Sequence, residues 1–463
     1  MVDKPSHVNP GDKNNNSHKG TASVSSELKP IKIGLIGLGT VGGGVVTVLQ
    51  RNAEIIARRA GRRIEIAAAT ARDITKQRPF STKNIDLISD PAALVQRDDI
   101  DIVVELIGGT DLAYDLVVSA LENNKHVVTA NKALIALRGN ELFEIAQKHG
   151  QIVAFEAAVA GGIPVIKATR EALAGNQVQW LAGIINGTCN FILTAMYQRG
   201  ADFADVLREA QELGYAEADP SFDVDGVDAA HKLTILASIA FGIPLQFERT
   251  YIEGIRDITA IDIEYASRLG YRIKHLGIAW QRDSGIELRV HPTLIPENQL
   301  LANVDDAMNA VMIQGDAVGP TLFYGAGAGA EPTASSVIAD IVDVTRALTT
   351  DPESHVPHLA FQAGKLADLP ILDMEAVETA YYLRLSARDK PGVLADVTRI
   401  LGGHGISIEA INQQQPGNDN EWASVVILTH GVVEKSMNNA IVEIEALEDI
   451  RQPVVRIRME TLT

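Results

Sequence analysis

The hexapeptide Gly37-Leu38-Gly39-Thr40-Val41-Gly42 constrains this chain more than any other stretch. It follows a short apolar run, residues 31–36, and opens a helical pattern over 40–59. Three glycines at this G-x-G-x-x-G spacing, between a strand and a helix, each meet a separate steric need. Gly37 permits a tight turn, Gly39 lets backbone approach a pyrophosphate, and Gly42 lets the helix lie close to the strand. The helix begins with Thr40 and Val41, and its free N–H groups and partial positive charge suit phosphate. A dinucleotide site is therefore expected. A site preferring NAD usually places an acid at the end of the second strand, to hold the ribose 2′-hydroxyl. Here that strand, residues 63–69, runs into Thr70-Ala71-Arg72, with no acid until Asp73. Arg72 suits a 2′-phosphate, which tilts the reading toward NADP.

Further apolar runs at 102–107, 125–129 and 151–155 alternate with helical patterns at 90–96, 111–123 and 140–149. That alternation predicts an α/β fold with parallel βαβ units, a doubly wound Rossmann-type domain over residues 30–162. Residues 1–29 are rich in Asn, Ser, Gly, Lys and Pro and lack an apolar run, so they read as a disordered tail and not a secretory signal. After Gly161-Gly162-Ile163-Pro164 the texture changes. Helices alternate with strand candidates such as 179–185 and 285–294, which predicts a mixed α/β domain over 163–330. The helical pattern at 333–348 is expected to pack back on the first domain. Pro352, Pro357 and Pro370 mark a linker over 349–379. From 380 to 463, strands at 382–387, 406–414, 422–430 and 453–459 with helices at 391–404 and 439–447 give βαββαβ, the split-βαβ sandwich.

Among 463 residues, 41 are Lys or Arg and 59 are Asp or Glu, a formal charge of -18. Such a balance argues against proteins that grip nucleic acid or an anionic membrane through a basic patch. The longest nearly apolar stretch, 233–245, is shorter than the ~20 residues a membrane-spanning helix needs and contains Gly242 and Pro244. Cys189 is the single cysteine, so no disulfide can form within the chain and no thiolate metal cluster can be built. A cytoplasmic address is the expectation.

Residues 210–232, AQELGYAEADPSFDVDGVDAAHK, carry the densest chemistry. Ser221-x-Asp223-x-Asp225-Gly226 looks like half of a calcium loop. That loop needs an acid at its first place and a bidentate glutamate at its twelfth; Ser221 and Lys232 stand there instead. Asp228 and Lys232, four apart, share one face of a helix. The following Leu233, Ile235, Leu236 and Ile239 make that helix largely buried, so its amino end is expected to point a charged pair into a cleft. With Ala210, Gly214, Asp219, Pro220, Asp223, Gly226, Asp228 and Lys232 in place, the segment closely resembles the signature of the homoserine dehydrogenase family. The resemblance extends to the glycine turn, to Thr129-Ala130-Asn131-Lys132, to 156–164 and to 324–329, in order across most of 31–348.

The resemblance implies a reaction: NAD(P)-dependent interconversion of L-homoserine and L-aspartate 4-semialdehyde, in threonine, methionine and isoleucine biosynthesis. It implies Lys232 as the acid–base group, with Lys132 and Asp228 beside it. Glu217, Asp223 and Asp228 would hold the substrate. Gly37, Gly39, Thr40, Val41, Gly42, Arg72, Thr110, Lys132 and Gly329 would meet the cofactor. It also implies a structural sodium ion at Glu156, Val159, Gly161 and Ile163. Farther on, residues 388–395, RDKPGVLA, resemble the opening of an ACT domain. That implies subunit pairing, as a homodimer or homotetramer, and an amino-acid effector, L-threonine, near Asp389, Gly392, Gly403 and Ile406. Deleting residues after about 369 is then expected to spare the chemistry and abolish the effector response.

Two rivals remain open on the residues. An acylating semialdehyde dehydrogenase would need Cys189 as nucleophile. An amino-acid sensor on the same folds, without catalysis, would have no need of Lys132, Asp228 and Lys232. A kinase domain upstream is not expected, since the glycine turn is reached by Gly37.

Overall fold

The computed structural model describes residues 28–362, 364–414 and 421–462; the tail expected over 1–29 lies, through residue 27, outside the described residues. Six strands form the first sheet: β1 Ile31–Ile36, β2 Ile64–Thr70, β3 Asp86–Ile88, β4 Ile102–Glu105, β5 His126–Thr129 and β6 Val153–Ala154. They run parallel in the order β3-β2-β1-β4-β5-β6. Successive strand residues face opposite sides. Ile33, Leu35, Ile102 and Val104 pack with Val45, Val48 and Leu49 on one face. Ile36, Val103 and Val127 pack with Leu116, Val117, Leu121 and Leu134 on the other. The strand order reverses between β1 and β4, where open parallel sheets bind ligands beyond the carboxyl ends of their strands.

The helical pattern at 40–59 proves to be two helices, Thr40–Arg51 and Ala53–Ala60, broken at Asn52. Asparagine competes for backbone hydrogen bonds and favours such a break. The helix Ala330–Ala347 returns to this domain. Val337, Ile341 and Val344 join the core beneath β1, and a Cβ on Gly44 would lie 2.3 Å from the Ala330 carbonyl.

A second sheet carries eleven strands: β7 Val178–Ile184, β8 Tyr251–Ile252, β9 Tyr271–Arg282, β10 Gly285–Pro296, β11 Met308–Gly315, β12 Gly319–Ala326, β13 Glu378–Arg388, β14 Ile408–Gln414, β15 Trp422–Thr429, β16 Val432–Val433 and β17 Ile450–Met459. Their order is β12-β11-β7-β9-β10-β17-β13-β15-β14, with β8 beside β10 and β16 beside β13. The C-terminal βαββαβ unit contributes β17-β13-β15-β14, with the helices Val393–Gly403 and Glu434–Glu445 on one face.

This unit is not a detachable tail. β17 pairs in parallel with β10 through Thr293↔Arg458 and Leu294↔Met459, so one sheet runs through both units. The face of its sheet away from its helices is buried too: Tyr382, Val426, Leu428 and Ile457 pack with Ile263, Tyr265 and Leu294. At the seam, fully buried Arg458 binds Glu434 and Glu253, and buried Arg289 binds Glu287 and Glu460. Removing residues after 369 would take Glu460 from Arg289, which keeps Glu287, and Arg458 from Glu253, and would bare the apolar face that this unit covers. The expectation that residues after 369 can be removed without harm to the chemistry is corrected on these grounds. The linker is also docked: His358 stacks on Phe143, and its Nε2 accepts the Val153 N–H at 3.1 Å on edge strand β6. No helix among the described residues is long and apolar enough to cross a membrane.

Candidate active site

The glycine turn has the geometry its spacing predicts. Gly37 stands at φ +104°, where a side chain is disfavoured. A Cβ on Gly42 would meet the Gly37 carbonyl at 2.1 Å, so only glycine lets the helix approach. At Gly39 a Cβ would meet nothing within 4 Å. The protein leaves space there, which is the room a pyrophosphate needs. The Gly37 N–H donates to Thr70 Oγ1 at 3.1 Å, tying the turn to the end of β2. Arg72 is exposed just beyond that strand, and Asp73 is occupied by Thr75, whose N–H and hydroxyl both donate to Asp73 Oδ1. Thr110 opens the helix Asp111–Glu122. Gly329, at φ +125°, opens the helix Ala330–Ala347. The loop from β12 to Gly329 presses on the bend at Gly161, where a Cβ would lie 2.4 Å from the Gly327 carbonyl.

Lys132 begins the helix Lys132–Lys148, capped by Asn131, whose Oδ1 accepts the Leu134 N–H. A lysine at a helix N-terminus opposes the helix dipole. The cost is offset across the domain boundary. Asp228 lies in the first turn of the helix Val227–Phe241, where a negative charge is favoured. Its Oδ1 sits 2.9 Å from Lys132 Nζ and its Oδ2 2.7 Å from Lys232 Nζ. Lys232 also donates to the Ile185 carbonyl at 2.8 Å. One buried carboxylate thus carries two ammonium groups. Burial pushes the Asp228 carboxyl up, but Lys232 and then Lys132 outweigh it and hold it below the usual carboxylate range. Burial lowers Lys132, and Asp228 more than reverses it, with Asp223 and Glu217 adding to the rise. Lys132 keeps about a third of its side chain exposed and lies 5.4 Å from the centre of the Phe222 ring.

Asp223 joins the cluster through Asn186, whose Nδ2 donates to Asp223 Oδ1 at 2.7 Å and to Asp228 Oδ2 at 2.8 Å. Burial raises the Asp223 carboxyl. Glu217 is exposed at the rim, near enough for its charge to act on Lys132. Asn186 escaped the sequence reading. Its Oδ1 accepts the Cys189 N–H, capping the helix Gly187–Arg199, and an asparagine between a strand and a helix was the available signal. Cys189 is fully buried; its thiol donates to the Asp223 carbonyl at 3.3 Å, and burial pushes its pKa well up. A thiol so placed is no nucleophile, which removes the acylating alternative.

Glu156, 1% exposed, is pushed up to about 7 by burial and by Asp340. Its carboxylate accepts N–H bonds from Ile166 and Lys167. The Gly161 and Ile163 carbonyls each accept one hydrogen bond. The Lys167 charge offsets part of that rise; the carboxylate and the carbonyl oxygens of the same bend are the hard oxygen donors that a monovalent cation would take.

A parallel sheet reversing at a glycine turn, beside two lysines on one buried carboxylate, defines a dinucleotide-dependent oxidoreductase. The family comparisons name the class further. Residues 37–156 match the NAD-binding domain of homoserine dehydrogenase, 164–342 the homoserine dehydrogenase domain proper, and 381–449 the ACT domain. A homoserine dehydrogenase of Pseudomonas aeruginosa is 61% identical over 94% of this chain and 100% of its own length. One from Neisseria gonorrhoeae is 54% identical over 94% and 100%. The crystal structure of a homoserine dehydrogenase from Thiobacillus denitrificans superposes with a TM-score of 0.90 at 61% identity, covering 94% of this chain and 100% of that one. A hyperthermophilic archaeal homoserine dehydrogenase in complex with NADPH gives 0.58 at 26% identity, over 68% and 98%. The chain belongs to the homoserine dehydrogenase family, oxidoreductases acting on a CH–OH group.

Proposed function

We propose that the cluster around Asp228 interconverts L-homoserine and L-aspartate 4-semialdehyde, a step toward threonine, methionine and isoleucine. The observation that carries this reading is the pair of lysine ammoniums on one buried carboxylate, with Lys132 linked through Asn131 and the loop after β4 to the start of the glycine turn. The nicotinamide nucleotide, when bound, takes up or gives the hydride. Lys232 holds the proton. An ammonium has three N–H bonds; Asp228 and Ile185 engage two, which leaves one for the substrate oxygen. In reduction Lys232 Nζ gives its proton to the forming alkoxide; in oxidation it takes the hydroxyl proton. Asp228, with both oxygens on lysines, acts on the substrate through them. Glu217 at the rim, with Asp223, receives the substrate ammonium. Gly37, Gly39, Thr40, Val41, Gly42, Thr110, Lys132 and Gly329 would line the dinucleotide site. Arg72, with Asp73 occupied by Thr75, favours NADP over NAD.

Glu156, Val159, Gly161 and Ile163 would hold a sodium ion as a structural element. The C-terminal unit would bind threonine near Asp389, Gly392, Gly403 and the backbone at Ile406. Asp389 Oδ1 accepts from Gln413 of edge strand β14, and Gly392 stands exposed at φ +101°. A homodimer or homotetramer would shield the other sheet edge, β12, with exposed Tyr324. One assay tests the core: homoserine-dependent reduction of NADP⁺ and of NAD⁺, with and without threonine. Turnover greater with NADP⁺ and depressed by threonine is expected; no turnover with either nucleotide contradicts the reading.

A further inference from the structure

Glu105 ends β4, beside the point where the strand order reverses, and its side chain is fully buried. No lysine or arginine pairs with it among the described residues. A buried carboxylate is costly unless donors fill its lone pairs. Here three do. Oε1 accepts the Ile107 N–H at 2.9 Å and the Gly108 N–H at 3.0 Å. Oε2 accepts the Thr129 hydroxyl at 2.6 Å. That is a short bond for a hydroxyl donor.

The bonds continue. Thr129 Oγ1 accepts the Asn131 N–H at 2.9 Å, and Asn131 Nδ2 returns to the Gly109 carbonyl at 2.7 Å. The ring therefore closes: the loop after β4, Glu105, Thr129, Asn131, and back to that loop. At one margin it meets the glycine turn. The Leu106 N–H donates to the Ile36 carbonyl at 2.9 Å, and a Cβ on Gly37 would lie 3.0 Å from the Leu106 carbonyl. At the other margin Asn131 caps the helix that starts with Lys132.

We propose that Glu105 is a positioning residue: through Thr129 and Asn131 it fixes Lys132 relative to the dinucleotide turn. The proposal rests on the reading of Lys132 as a group at the reacting centre. The ring ties together the two loops that leave the paired strands β4 and β5, where Glu105 and Thr129 stand side by side. Breaking it leaves both strands intact and frees the start of the Lys132 helix to shift. A misplacement near 1 Å costs on the order of 10²-fold in rate.

The test uses Thr129→Val, Thr129→Ser, Glu105→Gln and the double variant Glu105→Gln/Thr129→Val in the full-length chain. Turnover with homoserine, the NADPH dissociation constant by fluorescence, and the thermal midpoint are measured for each. Thr129→Val is expected to lower kcat on the order of 10–10²-fold, by a larger factor than it weakens NADPH binding. Thr129→Ser keeps the hydroxyl and should restore turnover even if Glu105→Gln folds poorly. The double variant should be no slower than the slower single, since both remove one linkage. Undiminished turnover in Thr129→Val, losses that multiply in the double variant, or a kcat loss matched by equal loss of NADPH binding would each overturn the proposal. A wild-type protein that binds NADPH but shows no homoserine-dependent turnover would sink the reading of Lys132 first, and this proposal with it.

Discussion

Asp228 sets the electrostatics of the cluster because this buried carboxylate touches both lysines. Replacing it with asparagine keeps the shape and removes the charge. Two ammonium groups then face each other with no carboxylate between them. Breaking a buried pair costs about 3–5 kcal/mol, and the partial exposure of Lys132 puts this case at the lower end. Chemical denaturation of Asp228→Asn should show that loss, with turnover falling alongside it. Unchanged stability would mean the lysines find other partners. Cys189→Ser should leave turnover largely intact, because the buried thiol only donates to a carbonyl. At this scale the sequence was informative where spacing suffices. Asp228 and Lys232 share a helix, so four residues of separation place them together. Asn186 reaches Asp228 across 42 residues of chain, a contact no local pattern encodes. Glu105 is equally hidden, since a glutamate ending a buried strand has no periodicity to announce its role.

Two elements invite direct tests. In the glycine turn, Gly39→Ala meets no protein atom, whereas Gly42→Ala strikes the Gly37 carbonyl. Gly39→Ala should therefore keep the thermal midpoint and lose dinucleotide affinity. Gly42→Ala should lower both. Equal effects on stability would contradict the division of labour. The second element is the bend that carries Glu156. Its carboxyl, pushed up to about 7, and that of Asp340, pushed up to about 6, both lie above their ordinary values. Between the ordinary value and the raised one, the folded state holds a proton that the unfolded chain has released. Stability from these groups is therefore lost as pH rises through that window. A cation bound at Glu156 would oppose the loss. Thermal midpoints in choline chloride should fall across the window, and sodium chloride should remove much of the fall. Glu156→Gln should flatten the slope in either salt. Identical curves in the two salts would argue against a cation there. The first sheet was readable because its strands are buried on both faces and so appear as apolar runs. β9, β11 and β12 were not named: charged residues and a glycine interrupt the apolar run of β9, and β11 and β12 are short apolar runs flanked by polar residues, proline and glycine. The break at Asn52 was lost within a continuous helical pattern.

On the scale of the molecule, the C-terminal unit shares a sheet with the catalytic unit. β17 and β10 meet through two residue pairs from segments far apart in the chain. Nothing local in either strand records that register, which is why sequence reading found the βαββαβ unit but took it for a separable appendage. Removing residues after 369 would strip β10 of its neighbour β17, take Arg458 from Glu253 and Glu460 from Arg289, and uncover Ile263, Tyr265 and Leu294. The truncated chain should aggregate or elute as a heterogeneous species on size exclusion. A soluble, homogeneous truncation with full turnover would contradict the shared-sheet picture. The same seam joins the C-terminal unit to the catalytic cluster through direct contacts. Arg458 binds Glu253, and the adjoining Ile255 N–H donates to the Val224 carbonyl, one turn before the helix of Asp228 and Lys232.

The decisive measurement concerns that helix. Wild-type protein and Lys232→Ala are given homoserine and NADP⁺, and the near-ultraviolet absorbance of the reduced nucleotide is followed, with NADPH binding measured on both. A positioned acid–base group contributes on the order of 10²–10⁴ in rate. Wild type should turn over, and Lys232→Ala should lose turnover by about that factor while still binding NADPH. Near-normal turnover in Lys232→Ala would contradict the assignment of the proton to Lys232.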